Sequence, residues 1–346
     1  MKAFVKTAPG YDMMEMQEIE KPTAYDDKVV IKVEYTGICG SDIHTFKGEY
    51  KNPKTPVVLG HEFSGTIVEV GPDVTDYKVG DRVVSETTFE VCNECRFCKS
   101  KDYNLCAHRK GIGTQVNGSM TDYVLARQES LHLIPDNVSF MSAAFAEPLS
   151  CCTHAVMEKT EINEGEVVLI IGPGPIGLLA AQVAKANGGK VILSGITRDM
   201  PRLQFAKDTL GIDYICDSQT EDLNKLVLDL TDGYGADKVI DASGAVPAVN
   251  QALKLTAKKG TFVQLGLFAK DNVEIDTNSI IQREINYIGS RSQKPSAWIK
   301  SLKLMEEEKV NLEAMVTKVF PLEQAREAFE AVMAGNEIKV MIKSSK

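Results

Sequence analysis

Apolar residues are distributed in two ways along this chain. Over residues 1 to about 150 they alternate with polar residues or form short β-branched runs, as in Lys28–Glu34 (KVVIKVE) and Thr66–Val70 (TIVEV), with Pro and Gly between them. That pattern predicts a mainly β segment. From Val167 the texture changes to short apolar strands separated by amphipathic helices. VVLII leads through GPGPIG into a helix over Leu178–Ala186. Strand KVILS, helix Leu203–Leu210, strand DYIC, helix Glu221–Leu230, strand DKVID, helix Ala248–Ala257 and strand TFVQL follow. This alternation predicts a parallel sheet covered by helices on both faces. After about residue 290 it stops. Two helices, around Trp298–Glu307 and Glu323–Met333, form a tail expected to return to the first domain.

Composition narrows the classes. The chain has 346 residues, enough for two domains, with 43% hydrophobic and 25% charged residues, as in an ordinary globular protein. A net charge of −9 argues against nucleic acid as a partner. No apolar run approaches the length of a membrane span. The opening MKAFVKTAPGYD goes straight into strand-like alternation without a signal-peptide core. Eight cysteines without an export signal indicate a reducing compartment, so the expected location is the cytoplasm.

Two groups of metal-ligand residue types stand out. Cys92, Cys95, Cys98 and Cys106 are spaced C-x2-C-x2-C-x7-C. Such a set closes a tetrahedral thiolate shell with no open position, which suits a structural zinc. Cys39, His61 and Glu62, with Glu147 further on, supply a second set. A Cys, a His and a carboxylate on separate turns match a three-ligand site with one open position, although each alone is more often structural.

Gly172, Gly174 and Gly177 spell G-x-G-x-x-G between a predicted strand and a helix that begins near Pro175 and Ile176. In a run of βα units this points to a dinucleotide pyrophosphate at a helix N-terminus; the plain alternative is a tight turn. The acidic residue expected about 20 positions later to grip the ribose is replaced by Gly195. Its absence is expected to leave room for a 2′-phosphate near Thr197, Arg198 and Arg202. Asp199 reaches a ribose only if the loop folds back, and Arg198 as a solvated loop charge stands beside the phosphate reading.

These motifs resemble the zinc-containing medium-chain dehydrogenase/reductases, in the branch with sorbitol (polyol) and threonine dehydrogenases. The resemblance spans nearly the whole chain. It rests on GHEFSGTIVEVG (Gly60–Gly71), Gly80-Asp81-Arg82-Val83, the cysteine lobe, Ala146-Glu147-Pro148-Leu149, and Gly235-Ala236-Asp237 through Asp241-Ala242-Ser243-Gly244. It implies a GroES-like β-rich catalytic domain (1–150 and 290–346) carrying both zinc sites, and a Rossmann doubly wound cofactor domain (151–289). A linker helix would begin near Ser150, and a second crossing would lie near Gly289.

Under that resemblance Cys39, His61 and Glu62 bind a catalytic zinc, with Glu147 binding directly or through water. Manganese suits the same mixed ligands. Ser41 takes the substrate proton, His44 ends the relay, and Asp42 hydrogen-bonds His61 from behind. Ser243, Gly244, Leu265, Gly266 and Leu267 position the nicotinamide of NADP or NAD. Arg291 faces substrate. The implied reaction is hydride transfer from a secondary alcohol of a polyol. Alternatives are a polyol phosphate or L-threonine as substrate, or a non-catalytic protein that binds zinc and cofactor. A homodimer or homotetramer is expected, with Thr261–Leu265, Tyr287 and Ile288 near the joining edge. His108, His132 and His154 match no ligand position, and Cys151, Cys152 and Cys216 read as buried thiols.

Overall fold

The computed structural model describes residues 1–50 and 53–345, and the chain divides into two compact units. The first holds Met1–Glu147, Gln293–Glu306 and the chain from Leu312 onward; the second holds Pro148–Ser292 and Glu307–Asn311.

In the first unit the long strand Lys28–Gly37 organises a seven-stranded sheet. It pairs antiparallel with Glu62–Val70, with Tyr123–Arg127 and with the C-terminal strand Lys339–Lys343. Val29, Ile31 and Val33 on one face join Phe63, Ile67 and Val83 in one core cluster, as period-two alternation requires. The pairing brings together parts of the chain far apart in sequence: Gly37 lies opposite both Glu62 and Met341. Most of the tail, apart from Glu307–Asn311, lies in this unit, where Ala325, Ala328 and Phe329 of the helix Ala325–Ala334 pack against Phe4 and Phe46.

The second unit is a six-stranded parallel sheet. Its spatial order is Tyr214–Asp217, Lys190–Gly195, Val167–Ile171, Ala236–Asp241, Thr256–Gln264, Asn286–Gly289. This is the doubly wound order, with its reversal between the strands ending at Ile171 and Asp241. Val168, Leu169 and Ile170 are fully buried, because a central parallel strand is covered on both faces.

Most helix boundaries move by a few residues, and two of the shifts matter for the site. The helix expected over Ala248–Ala257 spans Val246–Leu255. Thr256 turns extended, its hydroxyl donates to Ala252 O at 2.8 Å, and the strand starts there. The helix expected to begin near Ser150 begins at Ala146, which puts Glu147 in its first turn. Among the described residues no helix is long and apolar enough to cross a membrane.

Candidate active site

The four-cysteine lobe curls around the short helix Arg96–Lys99. Its sulfurs stand 3.8 Å (Cys92–Cys98), 3.5 Å (Cys95–Cys98) and 3.7 Å (Cys92–Cys106) apart, and all are free thiols. A tetrahedron with zinc–sulfur bonds of about 2.3 Å has sulfur–sulfur edges of about 3.8 Å, so the donor set fits zinc in chemistry and in size. The N–H groups of Glu94 and Cys95 pull the Cys92 thiol down to about 6. Burial and the neighbouring thiols push Cys98 up to about 12. Ionised together, four sulfurs this close would need a cation among them, which a zinc ion supplies.

The second set converges as well. The donor atoms of Cys39, His61 and Glu62 lie within 4.8 Å of one another. Cys39 caps the helix Gly40–Phe46. His61 follows Gly60, whose φ of +92° turns the chain where an added Cβ would lie 3.0 Å from Met120 N. Glu62 starts the strand paired with Lys28–Gly37 and is 2% exposed.

Glu147 is buried but lies outside this convergent trio. Its Oε1 accepts from Gln293 Nε2 at 3.0 Å, and that amide is also 3.1 Å from Thr87 Oγ1. Burial pushes Glu147 up to about 7; His61 opposes the shift and Glu62 adds to it. Burial also works against charge on His61, yet Asp42, Cys39 and Glu147 outweigh it and hold the imidazole well above its usual range. A thiol, an imidazole and a carboxylate converging this closely are a donor set that fits a divalent ion such as zinc.

Asp42 does stand behind His61, but Oδ1 is 3.7 Å from Nδ1, beyond hydrogen-bond range. Its other oxygen accepts from Cys39 N at 3.0 Å and fixes the turn that presents the thiol. Ser41 and His44 lie one turn apart on the helix Gly40–Phe46. His44 is exposed, with Nδ1 2.7 Å from Glu49 Oε2. Arg291 is exposed in the second unit. His132 bonds Glu86 and stacks on Trp298, and His154 bonds Glu158, which accounts for both.

The sequence reading missed Lys339. This residue is 3% exposed, and its ammonium donates to Glu62 Oε2 and to Ile38 O at 3.2 Å. It lies 277 residues from Glu62 in sequence, and no local motif marks it.

In the second unit the three glycines differ in surroundings. Gly172 has φ +94°. A Cβ on Gly174 would meet nothing within 4 Å, whereas one on Gly177 would lie 1.8 Å from Gly172 O. The first makes the turn, the second leaves the N-terminus of the helix Pro175–Ala186 open, and the third lets helix and strand touch. Pro175 and Ile176 form the first turn of that helix. A cleft of about 160 Å³ lies beside this loop, lined by Gly172, Gly195, Arg198, Asp199, Ser218 and Ser243.

The cofactor loop is packed more closely than spacing alone suggested. Gly195 has little room for a side chain, since a Cβ there would lie 2.8 Å from Pro173 Cγ and 3.1 Å from Asp199 Cβ, yet it lines the cleft together with Arg198 and Asp199. The loop folds back, bringing the Asp199 carboxylate alongside, where Oδ2 accepts from Ile196 N at 3.2 Å. Thr197 is occupied, its hydroxyl donating to Asp217 Oδ2 at 2.7 Å. The Arg198 side chain is 83% exposed; the guanidinium nitrogens of Arg198 and Arg202 each stand 4.0 Å from Asp199 Oδ1. The Ser243–Leu267 region is also more self-contained than expected. Buried Asp241 accepts from Ser243 N (3.1 Å) and Gly244 N (3.0 Å) through its carboxylate, and from Leu265 N (3.0 Å) and Gly266 N (2.8 Å) through its carbonyl. Those N–H groups shape the loops, and Leu267 projects 91% exposed.

Comparison with known proteins agrees with this anatomy. Residues 25–136 match the family model "Alcohol dehydrogenase GroES-like domain", and residues 175–307 match "Zinc-binding dehydrogenase". The chain is 61% identical to D-arabitol-phosphate dehydrogenase of Enterococcus avium, covering 100% of this chain and 98% of that protein. It is 52% identical to sorbitol dehydrogenase of Halalkalibacterium halodurans, covering 99% of each. A solved structure of a candidate zinc-binding dehydrogenase from Sinorhizobium meliloti, bound to NADP, superposes with a TM-score of 0.90 at 30% identity, covering 99% of this chain and 98% of that one. With its GroES-like and Rossmann-type domains, the chain belongs to the zinc-containing medium-chain dehydrogenases, in their polyol branch, and is an NAD(P)-dependent oxidoreductase.

Proposed function

We propose that the protein oxidises a secondary alcohol of a polyol, transferring hydride to NAD(P). The observation that carries this reading is the Cys39/His61/Glu62 convergence in a chain that matches two polyol-type dehydrogenases end to end. Cys39, His61 and Glu62 would hold a divalent ion, zinc or manganese. When bound, that ion supplies Lewis acidity toward the substrate oxygen. Glu147, buried and held by Gln293, offers a further oxygen at the rim of the trio. Ser41 accepts the hydroxyl proton, and exposed His44, paired with Glu49, passes it to water. Cys92, Cys95, Cys98 and Cys106 would hold a second, purely structural zinc.

The glycine loop would seat the cofactor pyrophosphate on backbone N–H groups. Asp199 would accept the ribose hydroxyls of NAD and Arg198 would meet the 2′-phosphate of NADP, so we propose that both cofactors are used. The strand Asn286–Gly289 at one edge of the parallel sheet suits continuation into a second copy, in a cytoplasmic homo-oligomer.

A second reading is favoured by the 61% relative, named for a phosphorylated polyol: the substrate is a polyol phosphate. One experiment separates the readings. Metal-loaded protein is mixed with either cofactor and a panel of polyols, their phosphate esters and L-threonine, while absorbance of reduced cofactor is followed. Faster turnover of the esters selects the second reading. Absence of turnover with every polyol and ester refutes both.

A further inference from the structure

Glu62 serves two partners. It is one of three converging metal donors, and it is also the acceptor of the buried Lys339 ammonium. The geometry that permits this is specific. Lys339 begins the last strand, paired with the strand that ends at Gly37, and Gly37 lies opposite Glu62. A Cβ at Gly37 would crowd Glu62 Oε2 and stand 2.7 Å from Lys339 Cε, so the pair would have to shift. The ammonium is held on its other side by Ile38 O at 3.2 Å and lies 5.9 Å from the centre of the Phe145 ring. It is an obligate donor, so it stands beside the trio as a fixed positive charge and not as a ligand. It engages Oε2, so a metal bound by Glu62 would take Oε1 or share Oε2 with the ammonium.

We propose that Lys339 is a positioning residue that shares Glu62 with the catalytic-site metal, limiting the carboxylate to one oxygen and part of its charge, so that the metal is held less tightly than the three donors alone would hold it. This rests on the metal reading of the trio. Two effects of removing Lys339 oppose each other. Glu62 would lose its anchoring, which is worth at most the rotamer freedom of one side chain. It would gain its full charge and second oxygen toward a dication in a dry site, where charge interactions are strong. The second effect is the larger, so removal should tighten metal binding.

The test uses the full chain loaded with zinc, and separately with cobalt. Loss of metal to a mild chelator is followed by elemental analysis in wild type, Lys339→Met, Lys339→Gln and Lys339→Arg. Gln keeps a donor to Glu62 without charge, so the comparison stands if the Met variant fails to fold. The expected result is at least tenfold slower loss of the second metal in the neutral variants, and near wild-type loss in Lys339→Arg. The visible cobalt spectrum should shift in the neutral variants and not in Lys339→Arg, a change that a merely structural lysine would not produce. Two metals in wild type with unchanged or faster loss in Lys339→Gln overturns the role of Lys339 alone. One metal in fully loaded wild type overturns the trio reading and this inference together.

Discussion

Gly174→Ala and Gly177→Ala should separate cofactor binding from stability. A Cβ on Gly177 would stand 1.8 Å from Gly172 O. That is roughly 1.5 Å inside an ordinary carbon–oxygen contact of about 3.3 Å. Both partners are held by backbone, one in the turn and one in the helix, so the helix Pro175–Ala186 must tilt off its strand. Overpacking of this kind costs about 1–3 kcal/mol, and the rigid partner puts this site near the upper figure. At roughly 2–4 °C per kcal/mol the melting temperature should fall by about 6–12 °C. Gly174 differs: nothing lies within 4 Å of its added Cβ, and its φ of −73° and ψ of 177° suit any residue. The gain of about 0.4–1 kcal/mol from stiffening the unfolded chain roughly offsets a few tenths lost at the helix cap. Stability should therefore stay within about 1 kcal/mol of wild type. If the glycine loop seats the pyrophosphate as proposed, the methyl group would intrude on it, so charge-assisted hydrogen bonds worth about 1.5–3 kcal/mol should be lost, weakening NADH and NADPH by about 10–100-fold. Thermal unfolding and fluorescence titration with each reduced cofactor read the two effects. Wild-type affinity in Gly174→Ala, or a melting loss equal to that of Gly177→Ala, would refute this account of the loop.

The two metal sites should fail differently: Cys39→Ala should abolish turnover and leave the fold intact, whereas Cys95→Ser should lower folding yield, because a closed thiolate site contributes folding energy. Elemental analysis and circular dichroism of each variant check this. Ser41→Ala should lower kcat with little change in cofactor affinity, as steady-state kinetics with fluorescence titration will read. Asp199→Ala should weaken NAD more than NADP, and Arg198→Ala the reverse, measured as kcat/KM; a strong NAD preference unchanged in Arg198→Ala would leave that guanidinium a solvated loop charge. Glu147, raised to about 7 from 4.5, carries a proton when folded that the unfolded chain sheds earlier. With the catalytic metal removed, stability should therefore fall as pH rises from about 4.5 to 7, by up to about 3 kcal/mol. Glu147→Gln keeps the contact with Gln293 and should recover that loss at pH 8 but not at pH 5, by urea unfolding; equal gains at both would disprove it.

Local pattern was enough for much of this protein. Short apolar runs separated by amphipathic helices predict the parallel sheet, because a strand covered on both faces has to be apolar along its length. Three glycines at fixed spacing mark one turn, and four cysteines within fifteen positions enclose one point, because both are properties of a short stretch of backbone. What tertiary structure decided lies between distant segments. Asp199 reaches the side of Gly195 only because its loop folds back, with Oδ2 accepting from Ile196 N, and spacing alone suggested an open position there. Asp241 spends its acceptors on the N–H groups of two loops at the end of its strand, a pairing that no local motif marks. Lys339 meets Glu62 through the pairing of the last strand with Lys28–Gly37. A charge buried by strand register leaves no local trace in the sequence, because its partner is chosen by the sheet and not by the neighbouring residues.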